Sequence, residues 1–248
     1  MRAERVALLG AGAIGAYIIW GMAEELGERF CVVARGERKA RLEREGLVIN
    51  GEQHTFPVKT PEEARGADVL FVACKQDKLR EALGDIRTVT AKNTTVISLL
   101  NGVTSEEVIA EAVGMESVLP GFVRLSAVRK GNGVTFSPEK AVGICLGEKD
   151  GSVSPRLLAV QELMGDTKAR CQLSSDITLD MWHKYAGTVA NNLPQAMLGV
   201  GGKAFADSEH LPKLAELLWK EVFSVARAKG IPLREKVMIF RDVAPDAR

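Results

Sequence analysis

"RVALLGAGAIGAYIIWGMAEEL", Arg5–Leu26, places a short apolar run, a cluster of small residues and a longer apolar run in immediate succession. Val6–Leu9 contains no polar residue, as a strand covered on both faces requires. Gly10, Gly12 and Gly15 follow in G-x-G-x-x-G spacing, and the segment after them has the length of a helix. Each glycine has its own task. Gly10 permits a tight turn, Gly12 lets a pyrophosphate approach the backbone, and Gly15 lets helix and strand pack closely. Gly10, Ala11, Gly12, Ala13, Ile14 and Gly15 thus form a cradle at a helix start, where unpaired N–H groups can hold phosphate. The glycine pattern alone is common; strand, turn and helix in this order predict a dinucleotide site.

The uncharged stretch Val6–Ala23 also has to be weighed as a signal peptide or membrane anchor. It is marginal in length for a span, and Gly10, Gly12, Gly15 and Gly21 weaken a continuous helix. Another strand-like run follows closely, so no membrane insertion is expected.

That next run, "FCVVAR", ends at Arg35. Sites for NAD usually place a carboxylate at this point to grip the ribose hydroxyls; a guanidinium suits a 2′-phosphate instead. NADPH/NADP+ is therefore expected over NADH. Arg38 and Lys39, close behind, read more simply as solvated charges. "VLFVACK" ends at Lys75 and "TTVISLLNGV" runs into Asn101 and Gly102. "KLREALGDIRTV" is amphipathic, and "TSEEVIAEAVG" offers Thr104 or Ser105 as a helix cap. Strands alternating with helices imply a mostly parallel sheet, with ligands beyond the carboxyl ends of the strands. Gly12, Arg35, Lys75 and Asn101 all fall on that rim.

Between these strands, "LVINGEQHTFPV" reads as a small antiparallel excursion turning at Asn50–Gly51, and His54 on it is given no role. The run after Ser117 is strand-like, turns at Gly131-Asn132-Gly133, and is expected to extend the sheet or form its edge. From Ser154 the pattern is mainly helical. The expected division is residues 1–170 as the nucleotide-binding domain and 171–248 as a helical domain for substrate and dimerisation.

The bulk numbers narrow the function classes. A hydrophobic content of 46% argues against a disordered chain, and a formal net charge of +1 without a basic block argues against nucleic acid. Cys31, Cys74, Cys145 and Cys171 form no CxxC pair and the three histidines are scattered, so no metal site is expected. Such cysteine usage fits a reducing, cytoplasmic compartment.

In "LDMWHKYAGTVANNLPQAM", Leu179–Met197, Trp182, Ala186, Val189 and Leu193 share one helical face. Lys184, Thr188 and Asn192 repeat at i, i+4 and i+8 on nearly the opposite side. Periodicity alone favours an ordinary amphipathic helix over a catalytic one. His183 points elsewhere and reads as packing or surface.

A family resemblance alters that balance. "GAGAIG" at 10–15, Arg35 after the second strand, Lys75 after "FVAC", "LLNGV" at 99–103 and "WHKYAGTVANN" at 182–192 resemble the ketopantoate reductase (2-dehydropantoate 2-reductase) family, in order and approximate spacing, over essentially the whole chain. The resemblance implies an α/β Rossmann-type domain followed by an all-helical domain. It implies NADPH-dependent reduction of 2-dehydropantoate to pantoate, a step of pantothenate biosynthesis. Lys184 matches the family's catalytic lysine and Asn192 a substrate ligand. Asn101 matches the loop asparagine near nicotinamide and substrate, and Arg35 and Lys75 match basic residues near the adenosine phosphate. Thr188 stands where the family usually has Asn, yet it still offers a hydroxyl to substrate; Leu100 stands where Gln often precedes Asn-Gly. The family's later Ser and acidic segment has no counterpart here, so the helical domain is expected to be incomplete, Asp242 and Asp246 receive no role, and weak turnover is expected beside retained cofactor binding. A related NADP-dependent 2-oxo acid reductase and a non-catalytic nucleotide-binding protein remain the alternatives. A homodimer would cover the apolar helices, though the sequence fixes no geometry for it.

Overall fold

A computed structural model describes residues 3–233. The chain divides into two compact units, the first ending at Ile177 and the second beginning at Thr178. The first runs β1 (Val6–Leu9), α1 (Ala13–Leu26), β2 (Phe30–Val33), α2 (Gly36–Glu45), β3 (Leu47–Ile49), β4 (Glu52–His54), β5 (Val58–Lys59), β6 (Val69–Val72), α3 (Gln76–Val89), β7 (Thr95–Ser98), α4 (Ser105–Val113), β8 (Val118–Leu119), β9 (Gly121–Arg124), β10 (Ala127–Lys130), β11 (Gly133–Phe136), β12 (Gly143–Leu146), α5 (Pro155–Gly165) and β13 (Cys171–Leu173). The helix that follows, α6 (Ile177–Leu198), precedes α7 (Gly202–Asp207) and α8 (Leu211–Ala228).

Six strands form one sheet in the order β5-β2-β1-β6-β7-β8, with every pairing parallel. β1, β2, β6 and β7 are buried at every residue because helices cover both faces. Alternate side chains serve alternate cores. Val6, Leu8, Phe30, Val32 and Phe71 pack with Tyr17, Ile18, Ile19 and Met22 of α1. Ala7, Leu9, Val33, Leu70 and Val72 pack with Leu79, Ile86 and Val89 of α3 and Ile109 of α4.

The glycine turn joins β1 to α1 under tight steric limits. Gly10 has φ +110°, and a Cβ there would stand 2.6 Å from the Ala73 carbonyl at the end of β6. A methyl group on Gly15 would collide with the Gly10 carbonyl oxygen. Those two close approaches bring the turn against both strand ends.

The excursion at 47–58 is as the sequence suggests: β3 and β4 pair antiparallel through Asn50, at φ 53°, and Gly51. The run after Ser117 departs from expectation. Only β8 joins the main sheet; β10 and β11 form a hairpin whose second strand pairs parallel with β3, and β9, β12 and β13 make a third sheet. Phe136 on β11 makes edge contacts with Tyr17 at 5.6 Å and Trp20 at 5.5 Å, fixing the hairpin to α1. Because β13 pairs with β12, the first unit continues past the sequence-based division at 170/171.

In the second unit α6 runs through Pro194 to Leu198. Proline cannot donate to the carbonyl four residues back. Side chains supply nearby bonds: the Gln195 amide donates to the Asn191 carbonyl at 2.7 Å, and the Asn191 amide donates to the Gly187 carbonyl at 2.8 Å. Gly187 lets the buried Trp219 of α8 lie close, 3.6 Å from where its Cβ would be. Trp219 in turn meets Phe223 at 5.2 Å. Asp242 and Asp246 lie outside the described residues.

Candidate dinucleotide and reductase site

Strand order decides which residues share the rim. β2, β1, β6 and β7 are consecutive neighbours, and their registers end level, Val33 and Val72 beside Leu9 and Ser98 beside Val72. Arg35, the glycine turn, Lys75 and Asn101 therefore follow one another across the carboxyl edge, over about 14 Å at the usual strand spacing. The chain leaves β1 for β2 on one side and later returns to β6 on the other, which makes the crevice at Gly10 a topological switch point. Nothing acidic occupies the first turn of α1, and its cap, Gly12, offers no side chain to the end N–H groups. That end is built for an anion. The open backbone at Gly12 fits a dinucleotide pyrophosphate.

The rim residues differ in their present engagements. Arg35 caps α2 by position, and its guanidinium donates to Asp85 Oδ1 at 2.8 Å and to Glu62 Oε1 at 2.6 Å. The hydrogen bond from Arg35 holds the Glu62 carboxyl below its ordinary pKa. Lys75 is exposed at the start of α3, and Asn101 is exposed on the loop after β7.

A buried polar chain fixes that loop. The Leu100 N–H donates to Ser98 Oγ at 3.3 Å, Ser98 and Ser105 Oγ lie 2.8 Å apart, and Ser105 donates to Glu106 Oε2 at 3.0 Å. Thr104 holds the cap position of α4 without a side-chain cap bond, and Ser105 instead turns inward. Glu106 is only 4% exposed, and burial raises its pKa. Folding thus favours the protonated acid: its contribution is complete below an unfolded carboxyl pKa of about 4.3 and is lost as pH rises through the higher folded value. Glu106→Gln keeps an acceptor oxygen and never ionises. In thermal melts the variant should gain on the parent as pH rises above the ordinary carboxyl range of about 4.3; parallel melting-temperature curves would reject this account.

On α6 the expected apolar face is mostly observed. Trp182 and Ala186 are buried and Val189 is half-buried, but Leu193 is 45% exposed. Lys184 is half-buried, Asn192 is exposed, and the Thr188 hydroxyl donates to the Lys184 carbonyl at 2.9 Å. Asn191, not Asn192, is the buried amide of the pair. His183 packs edge-on to Phe223 of α8, ring centres 6.4 Å apart, in keeping with a packing role. Sequence reasoning missed Arg129, which β10 brings to the glycine turn; its only sequence signal was a position two residues before the Gly131 turn. Among the described residues no cluster of metal-ligating side chains occurs, and no helix is long and apolar enough to cross a membrane.

A parallel sheet with a glycine turn at its switch point, followed by a helical unit, is the architecture of a dinucleotide-binding protein. The chain belongs to the ketopantoate reductase family: residues 6–145 match "Ketopantoate reductase PanE/ApbA", and residues 176–245 match its C-terminal part. It is similar to the 2-dehydropantoate 2-reductase of Archaeoglobus fulgidus, 30% identical over 235 residues that cover 93% of this chain and 76% of that one. It is also similar to the uncharacterized oxidoreductase YkpB of Bacillus subtilis, 27% identical over 91% of this chain and 75% of the relative. Among solved structures, D-mandelate dehydrogenase in a ternary complex with NADH and anilino(oxo)acetate superposes with a TM-score of 0.81, covering 98% of this chain and 80% of that one. At 20% identity that likeness is one of fold.

Proposed function

We propose that this chain reduces the 2-keto group of 2-dehydropantoate, giving pantoate, with NADPH. The observation that carries the reading is the ordered rim of Arg35, glycine turn, Lys75 and Asn101 in a chain of this family that also presents Lys184 on α6. NADPH, when bound, supplies the hydride. The protein's part is placement and charge. Gly10–Gly15 hold the pyrophosphate on the α1 end. Exposed carboxylates are weak competitors for a guanidinium, so a doubly charged 2′-phosphate draws Arg35 from Glu62 and Asp85, with Lys75 beside it. Lys184, as an ammonium, stabilises the charge that develops on the keto oxygen and gives it a proton. Asn101 and Asn192 orient the substrate. A second copy of the chain covers exposed apolar residues such as Leu193, Leu217 and Val225 in this reading.

Thr188 favours a second reading, a different 2-oxo acid. Its hydroxyl donates to the Lys184 carbonyl, so toward substrate it is left as an acceptor, where an Asn at this position could both donate and accept. A screen of 2-keto acids with NADPH and NADH separates the two. The first reading requires 2-dehydropantoate to give the highest kcat/KM and NADPH to exceed NADH. A higher value for an aromatic or branched 2-keto acid establishes the second, and no turnover of any of them rejects both.

A further inference from the structure

We infer that Arg129, carried over the glycine turn by the β10–β11 hairpin, is a ligand for the pyrophosphate of the bound dinucleotide. The inference rests on the dinucleotide reading above. Gly12's chain neighbours apart, the described atom nearest to where a Cβ on Gly12 would stand is Arg129 Nη1, at 4.0 Å. That point is the open face of the second glycine, the place a backbone-held pyrophosphate must occupy. The guanidinium therefore stands beside the phosphate cradle.

The hairpin has the means to keep it there. β10 packs on α1, β11 pairs with β3, and Phe136 at the end of β11 is held by Tyr17 and Trp20 of the same helix whose start forms the cradle. The Asn50 side chain accepts from the Phe136 N–H at 2.8 Å, tying the two hairpins together. Arg129 itself donates from Nε to the Gly131 carbonyl at 3.2 Å, which leaves the Nη edge of the guanidinium toward Gly12. Other guanidinium groups also stand near Arg129. Partial burial lowers the Arg38 pKa, and the nearby cations of Arg129 and Arg41 lower it further. Guanidinium groups close enough for one to lower the pKa of another are an arrangement that a phosphate relieves.

The chemistry predicts a pattern that separates Arg129 from Arg35. NAD+ and NADP+ share the pyrophosphate and differ at the 2′-phosphate. Binding of both is read by calorimetric titration, with circular dichroism and thermal melting as controls for folding. Arg129→Gln should weaken both dinucleotides by about tenfold or more, and by similar factors. Arg129→Lys keeps the charge and should recover much of that loss. Arg35→Ala should weaken NADP+ about tenfold and leave NAD+ nearly unchanged. Affinities of Arg129→Gln within about twofold of the parent overturn the assignment, as does a loss confined to NADP+. A folded parent protein that binds neither dinucleotide overturns the dinucleotide reading itself, and this assignment with it.

Discussion

Lys184→Ala should lose about 10²–10⁴-fold in turnover of the keto acid while its affinity for NADP+ stays close to that of the parent. The split follows from where the parts lie. The glycine turn and the rim belong to the first unit, whereas Lys184 sits on α6, whose path from Thr178 belongs to the second. A contact that strengthens as charge develops on the keto oxygen lowers kcat when removed and leaves cofactor binding alone. The measurement is steady-state turnover beside a titration, using deuterated NADPH to establish that hydride transfer limits the rate. Full turnover in the variant with a primary isotope effect intact removes Lys184 from the chemistry.

Gly15→Ala should cost about 3 kcal/mol or more of stability and abolish dinucleotide binding. The added methyl meets the carbonyl oxygen of Gly10, a backbone atom that has no rotamer to change. Gly10 cannot retreat, since it already lies against the end of β6. Gly84 is the built-in comparison. It lies within α3 with open space where its Cβ would be, so Gly84→Ala should stabilise by about 0.5–1 kcal/mol. Urea unfolding of the two variants tests the pair; equal midpoints would show that the turn tolerates a larger separation of α1 from β1.

Much of the first unit was legible because local and global demands coincide there. A strand buried on both faces must be a continuous apolar run, and Val6–Leu9, Phe30–Val33 and Val69–Val72 are such runs. Gly10 and Gly15 in that spacing then report a steric requirement that no other residue meets. Arg35, Lys75 and Asn101 follow from strand ends alone. What failed to show were features set by distant partners. β11 pairs with β3 across the chain, so neither the separate small sheet nor the placing of Arg129 has a local signal. Arg35 finds Glu62 and Asp85 from two other connections. On α6, the helix continues through Pro194, where sequence rules expect an interruption.

The parallel order of the main sheet also bears on how the chain is made. β1 leaves a ribosome well before β6, one of its two neighbours in the sheet, with Val6 pairing with Val69. At roughly 5–20 residues per second, several seconds separate the emergence of the two strands. During that interval the edge of β1 that β6 will cover has no partner, the kind of surface on which nascent chains aggregate. Synthesis slowed between β2 and β6 should therefore lower the soluble yield, and a holdase chaperone supplied during translation should restore it.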